Sequence, residues 1–277
     1  MTPRLTLMCV HAHPDDEAIS TGGILARYAE EGHETILVTC TDGALGDAPG
    51  GVKPGEPGHT PDEVVVLRRA ELEASCAALG VGHLELLGYR DSGMMGWPQN
   101  DAPGAFWHAS VEEAAERVGA LMARYRPQVV VTYDANGFYG HPDHIQAHRV
   151  TVGAVERTGI PEKLYYPAVP LSAIPRLAER LAARGVEVPS GMEDAPFGTP
   201  DEEIGAVVDC SAFSAAKYAS LAAHASQAEN IFFLSLGEEV FGQVFGEEAF
   251  VRALDRTGRP CPVGVEDDLF AGLRPRD

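Results

Sequence analysis

Two short runs, LTLMCV (Leu5–Val10) and QVVVTYD (Gln128–Asp134), are apolar at nearly every position over the length of one strand. A strand with one wet face alternates apolar and polar residues, so continuous runs belong to strands covered on both faces, as in a parallel sheet between helix layers. The segments around them have helical spacing. Ile24, Leu25 and Tyr28 form a stripe within residues 22–31, and VVVLRRAELEASCAALG follows Asp62, which caps or opens its helix, and stops at Gly80. Further helices are predicted from Val111 to Tyr125 and through IQAHRVTVGAVERTG, with ETILVTCTDG, HLELLGY and KLYYPAV as the remaining strands. Strand and helix alternate over the first 160 residues, which predicts right-handed βαβ units and an α/β fold: a Rossmann-like parallel sheet flanked by helices.

Beyond residue 170 the pattern loosens. A helix around Ile174–Arg184, a polar Pro/Gly stretch from Gly185 to Pro200, a strand in IGAVVD and a helix from Ser214 to His224 predict a smaller α+β lobe. The expected organisation is a catalytic core over 1–170 and a C-terminal lobe over 171–277 packed on it as one structural unit.

Composition narrows the partners. A formal net charge of -20, from 41 acidic and 21 basic residues, repels phosphate backbones and anionic lipid, which argues against nucleic acid and membrane. Only three of the basic residues are Lys while Arg, Ala, Gly, Val and Pro are frequent, a bias of GC-rich bacterial genomes. The five cysteines are scattered and never form CxxC, the N-terminus is too soon polar for a signal peptide, and a reducing cytoplasmic location is expected.

Ligands of an open parallel sheet bind beyond the carboxyl ends of its strands, where strand order reverses. With the usual order 3-2-1-4-5, the segments after strands one and four, HAHPDDE and YDANGFYGHPDH, meet in that crevice. His13 and Asp16 can aim at one ion from a tight turn, and a histidine of the second segment would complete a three-ligand zinc site. Asp15 would then be free to act as a general base, because bound zinc lowers the pKa of water to near 7. A lone His or an Asp-Asp pair is usually structural, but two such segments converging on one crevice point to metal-assisted hydrolysis. The first turn also lacks GxGxxG, and its carboxylates would repel a dinucleotide pyrophosphate.

HAHPDDE and HPDH, with RRAELEASCAALGV, YRDSGMMG and the later AHASQ, resemble the PIG-L/LmbE family of zinc-dependent N-acetyl-sugar deacetylases, and within it the actinobacterial mycothiol branch. That resemblance implies His13, Asp16 and His144 as metal ligands and Asp15 as base. It implies His141 as oxyanion donor or acid, Asp143 as the residue orienting an imidazole, and Tyr139 as a contact to the substrate carbonyl. Arg68 and Asp91 match positions that hold sugar hydroxyls. The implied reaction is removal of the N-acetyl group from a GlcNAc-type sugar, with Zn2+ as cofactor and Fe2+ or another divalent ion able to replace it. Mycothiol S-conjugate amidases are the nearest rival, and there a Lys commonly stands where this chain has Ser20, so Ser20 leans the reading toward deacetylation. A non-catalytic sugar-binding or regulatory module of the same fold is the rival from another class. The implied partner is a small N-acyl amino sugar, with a homo-oligomer left open. His148 reads as a helix-surface residue, and His11 and Glu17 have no assigned role.

Overall fold

The computed structural model describes residues 4–184, 198–228, 230–258 and 265–274. Its centre is β1 (Thr6–His11), all six residues of which are buried, as the continuous apolar run requires. Alternate β1 side chains enter two cores. Leu7 and Cys9 meet Ile24, Leu25, Tyr28, Leu72 and Leu79 of helices Gly22–Glu30 and Pro61–Leu79, while Met8 and Val10 meet Val118, Met122, Val150 and Val155 of helices Val111–Tyr125 and Pro142–Thr158. Burying each such Leu, Ile or Val stabilises the fold by roughly 1.5–3 kcal/mol, and β1 collects this from both sides.

Beside β1 lie β2 (Glu34–Thr41) and β4 (Val129–Val131), with β3 (His83–Tyr89) beyond β2 and β5 (Lys163–Pro170) beyond β4, all parallel. The sheet order is 3-2-1-4-5 followed by β8 (Glu247–Asp255) and β7 (Ile204–Asp209), so the switch point falls between β1 and β4 as the sequence predicts. A two-residue strand β6 (Gly198–Thr199) pairs with β5 off this path.

The structure differs from the sequence reading in several places. The fourth strand stops at Val131, because Thr132 turns its hydroxyl onto the Val10 carbonyl and Tyr133 leaves the ladder for the site. Thr60 occupies the cap position of the helix that starts at Pro61, and Asp62 lies in its first turn, where an anionic side chain suits the helix dipole. Gly80 ends that helix at φ 69, as expected. The 171–277 segment extends the main sheet: β8 pairs antiparallel with β5, and β7 with β8. β8 and helices Asn230–Ser235 and Gly237–Phe245 were not anticipated. Most of the polar stretch Gly185–Pro200 lies outside the described residues, as does Cys261; Cys9, Cys40, Cys76 and Cys210 are buried free thiols. Among the described residues no helix is long and apolar enough to cross a membrane.

One contact ties β8 to the core under the site. The Glu248 carboxylate accepts the N–H groups of Gly23 at 2.7 Å and Ile24 at 2.9 Å, two unpaired donors at a helix start, and pairs with buried Lys217 at 2.7 Å. Glu248→Ala would strand the Lys217 charge in the interior and should cost about 3–5 kcal/mol of unfolding free energy in denaturant titration. The apolar double variant Glu248→Met/Lys217→Met should recover most of that loss.

Candidate metal and acid-base site

The turn after β1 and the segment after β4 meet at the switch point. His13 Nδ1 and His144 Nε2 lie 3.3 Å apart, and each is 3.4 Å from an oxygen of Asp16. The other nitrogen of each ring faces an acceptor. His13 Nε2 meets the Asp143 carboxylate at 3.2 Å, and His144 Nδ1 meets the Gly137 carbonyl at 3.2 Å. In the neutral rings the nitrogens facing those acceptors carry the protons and donate them, so the other nitrogens carry lone pairs directed at each other and at a carboxylate. Three electron-pair donors aimed at one point form a cation site. Ligands about 2.0–2.2 Å from a tetrahedral zinc stand roughly 3.3–3.5 Å from one another, which is the spacing found here.

His141 joins His13 and His144 in a group whose ligand atoms all lie within 4.8 Å of one another, and His13, Asp91 and Asp143 form a second such group. The second is a poor cation site: Asp143 already receives the Ser92 N–H at 2.8 Å, Asp91 receives the N–H groups of Gly93 and Leu45, and both would share the single Nε2 of His13. Burial disfavours charge on His13, but Asp91, Asp143 and Asp16 outweigh it and raise its pKa well above the usual value. Asp16 is held well below the carboxylate range against its burial, mainly by His144 and His13.

Local chain geometry delivers these groups. His141 is the N-cap of helix Pro142–Thr158: its Nδ1 accepts the Asp143 N–H at 3.1 Å, and Pro142 opens the first turn. The neutral ring therefore carries its proton on Nε2 and is a donor. Burial first, then the neighbouring His13 and His144, push its pKa down to about 2, so it stays neutral. Gly137 has φ 63, and a Cβ there would sit 2.7 Å from the Ile145 nitrogen and 2.8 Å from His144 Cβ, so only glycine lets its carbonyl reach the ring.

Asp15 stands beside the cation site. Its carboxylate accepts Arg68 at 2.8 Å, while Arg68 also donates to the carbonyls of Gly43, at 2.9 Å, and Pro14. Burial raises the Asp15 pKa to about 6; Arg68 opposes this and Asp16 adds to it, leaving a carboxylate that is ionised yet basic near neutral pH.

A cavity of about 600 Å³ opens over these groups. His13, Asp15, Asp16, Ser20, Arg68, Asp91, Tyr139, His141 and His144 line it, so nine of the ten residues singled out from sequence converge there. Asp143 stands behind His13, fully buried. Tyr139 is 43% exposed at the rim. Trp97 lines the cavity, whereas Phe106 stacks on Tyr89 and Trp107 carries Arg149 on its ring, both packing their loop down. His148 bonds the Tyr133 carbonyl and takes no part in the cation site.

Tyr133 escaped the sequence reading. Its hydroxyl donates to Asp16 at 2.6 Å, accepts the Ala12 N–H at 3.0 Å, and its ring stacks on His144 at 4.1 Å. His11 reaches the same hydroxyl at 3.3 Å and Thr21 at 2.8 Å, so it braces Tyr133. The available signal was a tyrosine at the head of YDANGFYGHPDH, the segment that carries His141 and His144. Tyr133→Phe should weaken divalent-ion affinity about 10- to 100-fold with the fold intact, measured by competition with a chromogenic chelator.

Fold and site together define an α/β protein whose His and Asp side chains converge, beside Asp15 and His141, in an arrangement that could hold a cation at its topological switch point. The family model described as GlcNAc-PI de-N-acetylase, PIG-L, matches residues 8–155, and the chain belongs to the PIG-L family. It is 47% identical over 281 residues to 1D-myo-inositol 2-acetamido-2-deoxy-alpha-D-glucopyranoside deacetylase of Acidothermus cellulolyticus, covering 97% of this chain and 95% of the relative. The same-named protein of Salinispora arenicola is 43% identical, with 98% and 92% covered. Among solved structures, N,N'-diacetylchitobiose deacetylase from Pyrococcus horikoshii superposes with a TM-score of 0.57 at 20% identity, over 93% of this chain and 87% of that one. A 4-carboxy-2-hydroxymuconate hydratase from Pseudomonas putida gives a TM-score of 0.59 at 18% identity, over 92% and 99%. One fold thus serves a deacetylase and a hydratase, so the choice of reaction rests on the site and on the nearer relatives.

Proposed function

We propose that this chain is a metal-dependent deacetylase that removes the acetyl group from the 2-amino nitrogen of a glucosaminyl-inositol. The observation that carries this reading is the set of three electron-pair donors, His13 Nδ1, Asp16 and His144 Nε2, at mutual separations of 3.3–3.4 Å beside Asp15 and His141. The curated relatives, named for that substrate at 43–47% identity over nearly their whole length, support the sugar.

His13, Asp16 and His144 would hold the ion, with zinc the first choice for two imidazoles and a carboxylate. When bound, the ion supplies Lewis-acid polarisation and makes water a nucleophile at neutral pH. The residues of the chain divide the remaining work. Asp15 accepts the proton of the attacking water as oxygen bonds to the amide carbon. The Nε2–H of His141 donates to the oxyanion that develops on the carbonyl oxygen, with Tyr139 at the rim as a second donor. Asp15 then delivers the proton to nitrogen as the C–N bond breaks, releasing acetate and the amine. Asp143 orients the His13 ring. Asp91 and Ser20 face the sugar hydroxyls, and Arg68 does so while holding the base. In this reading residues 1–170 carry the chemistry, residues 171–277 close the cavity over the sugar, and the enzyme works in the cytoplasm.

The test is metal analysis of purified protein followed by amine release from N-acetylglucosaminyl-inositol and from N-acetylglucosamine. One divalent ion per chain and faster release from the inositol conjugate are expected; release from neither would overturn the reading. Asp15→Asn should retain the ion and lose about 10²–10⁴ in kcat. His141→Ala should lose about 10²–10³ in kcat with little change in metal content.

A further inference from the structure

Glu17, the last acidic residue of HAHPDDE, does not line the cavity, and the reaction outlined above gives it no step. It is nevertheless fully buried, together with Ser75, Ser220 and His224. Its Oε1 accepts His224 Nε2 at 2.7 Å and the Ser75 hydroxyl at 2.5 Å, and Ser75 in turn meets Ser220 at 2.7 Å. Burial works against charge on both Glu17 and His224, but each outweighs it for the other, so the pair is ionised. Glu17 Oε2 accepts the backbone N–H of Asp15 at 3.0 Å.

That contact falls where the backbone needs it. Asp15 has φ 118 and ψ -27, a left-handed conformation that a side-chain-bearing residue adopts only when its surroundings impose it. Released from the carboxylate, the part-buried Asp15 N–H would lose the partner that fixes its direction, and the peptide would rotate toward an ordinary conformation, carrying the side chain with it. Arg68 grips the carboxylate end of Asp15, and Glu17 grips the backbone end. We propose that Glu17, fixed by His224 and Ser75, is a positioning residue that holds Asp15 in the strained conformation aiming its carboxylate into the cavity. The proposal rests on Asp15 being the base of the deacetylation above. It also explains why His224 of the AHASQ segment is buried behind the site, since it fixes Glu17, 207 residues away in the chain, and through it the base.

The test uses the double variant Glu17→Met/His224→Phe, which fills the same volume without a buried unpaired charge. A displacement of the base by about 1 Å predicts a loss of about 10²-fold in kcat, with KM and metal content unchanged. In an Asp15→Asn background the same pair of substitutions should add less than about a twofold loss, because there is no base left to misplace. Glu17→Gln, whose amide oxygen can still accept the Asp15 N–H, should keep most of the wild-type kcat. Crystal structures should retain positive φ at Asp15 in wild type and Glu17→Gln and lose it in the double variant. Should the double variant not fold, Ser75→Ala takes its place, with a several-fold kcat loss that again vanishes in the Asp15→Asn background. Unchanged kcat, an equal loss in both backgrounds, or a preserved Asp15 conformation in the double variant would each overturn the proposal. If wild type releases no amine from either sugar, the reaction has been misread, and the crystallographic comparison still decides whether Glu17 holds Asp15.

Discussion

Two imidazoles and a carboxylate stand within 3.3–3.4 Å of one another, although they come from segments that an unfolded chain would leave far apart. What keeps them together is a shell of hydrogen bonds, each of which consumes the alternative orientation of a ligand. Asp143 takes one nitrogen of His13, the Gly137 carbonyl takes one nitrogen of His144, and Tyr133 and the His13 N–H fix Asp16. The rigid base for this shell is the fully buried pair β1 and β4, whose ends lie side by side at the switch point. Packing energy from two hydrophobic layers is thereby converted into an arrangement that favours a cation.

Much of this was readable from residue order, because the strongest signals are local. Continuous apolar runs marked β1 and β4, Gly80 marked a helix end, and the two His/Asp segments lay just past strands whose adjacency follows from the usual α/β order. The resemblance to the PIG-L/LmbE family then assigned His144 and His141 their roles, which spacing alone could not divide. What stayed hidden depends on long-range pairing. Tyr133 looked like the end of a strand, and only its three-dimensional position reveals the bond to Asp16. β8 was missed because Glu248, a charged residue near its start, is buried against a helix terminus and Lys217, which a pattern of polarity reads as surface. Glu17 and His11 went unassigned because their partners, His224 and Tyr133, are distant in sequence.

The residues past 170 do more than roof the cavity. β8 and β7 continue the sheet beyond β5, Glu248 caps the helix that follows the ligand turn, and Gln227 exchanges hydrogen bonds with the backbone of Asp47 in the first cavity loop. At the far end of that helix Tyr28 donates to Asp268 and accepts the Leu269 N–H. The contacts reach backbone groups at Gly23, Ile24 and Asp47 and side chains at Glu17, Glu71 and Tyr28, so they constrain the shape of the first half from behind the site. Such a division leaves the cavity face to the loops while the turn that carries His13, Asp15 and Asp16 is held from behind.

These clasps span 207 residues between Glu17 and His224, 225 between Gly23 and Glu248 and 241 between Leu269 and Tyr28. Closing loops of that size is slow compared with forming the local strand-helix units, so folding should proceed in two tempos. Local units such as β1–β2 with the helix between them can form early, while the turn that holds Asp15 acquires its final shape only when the last quarter of the chain has docked. The final seating of Asp15 would thus arrive as one of the last events in the maturation of the chain.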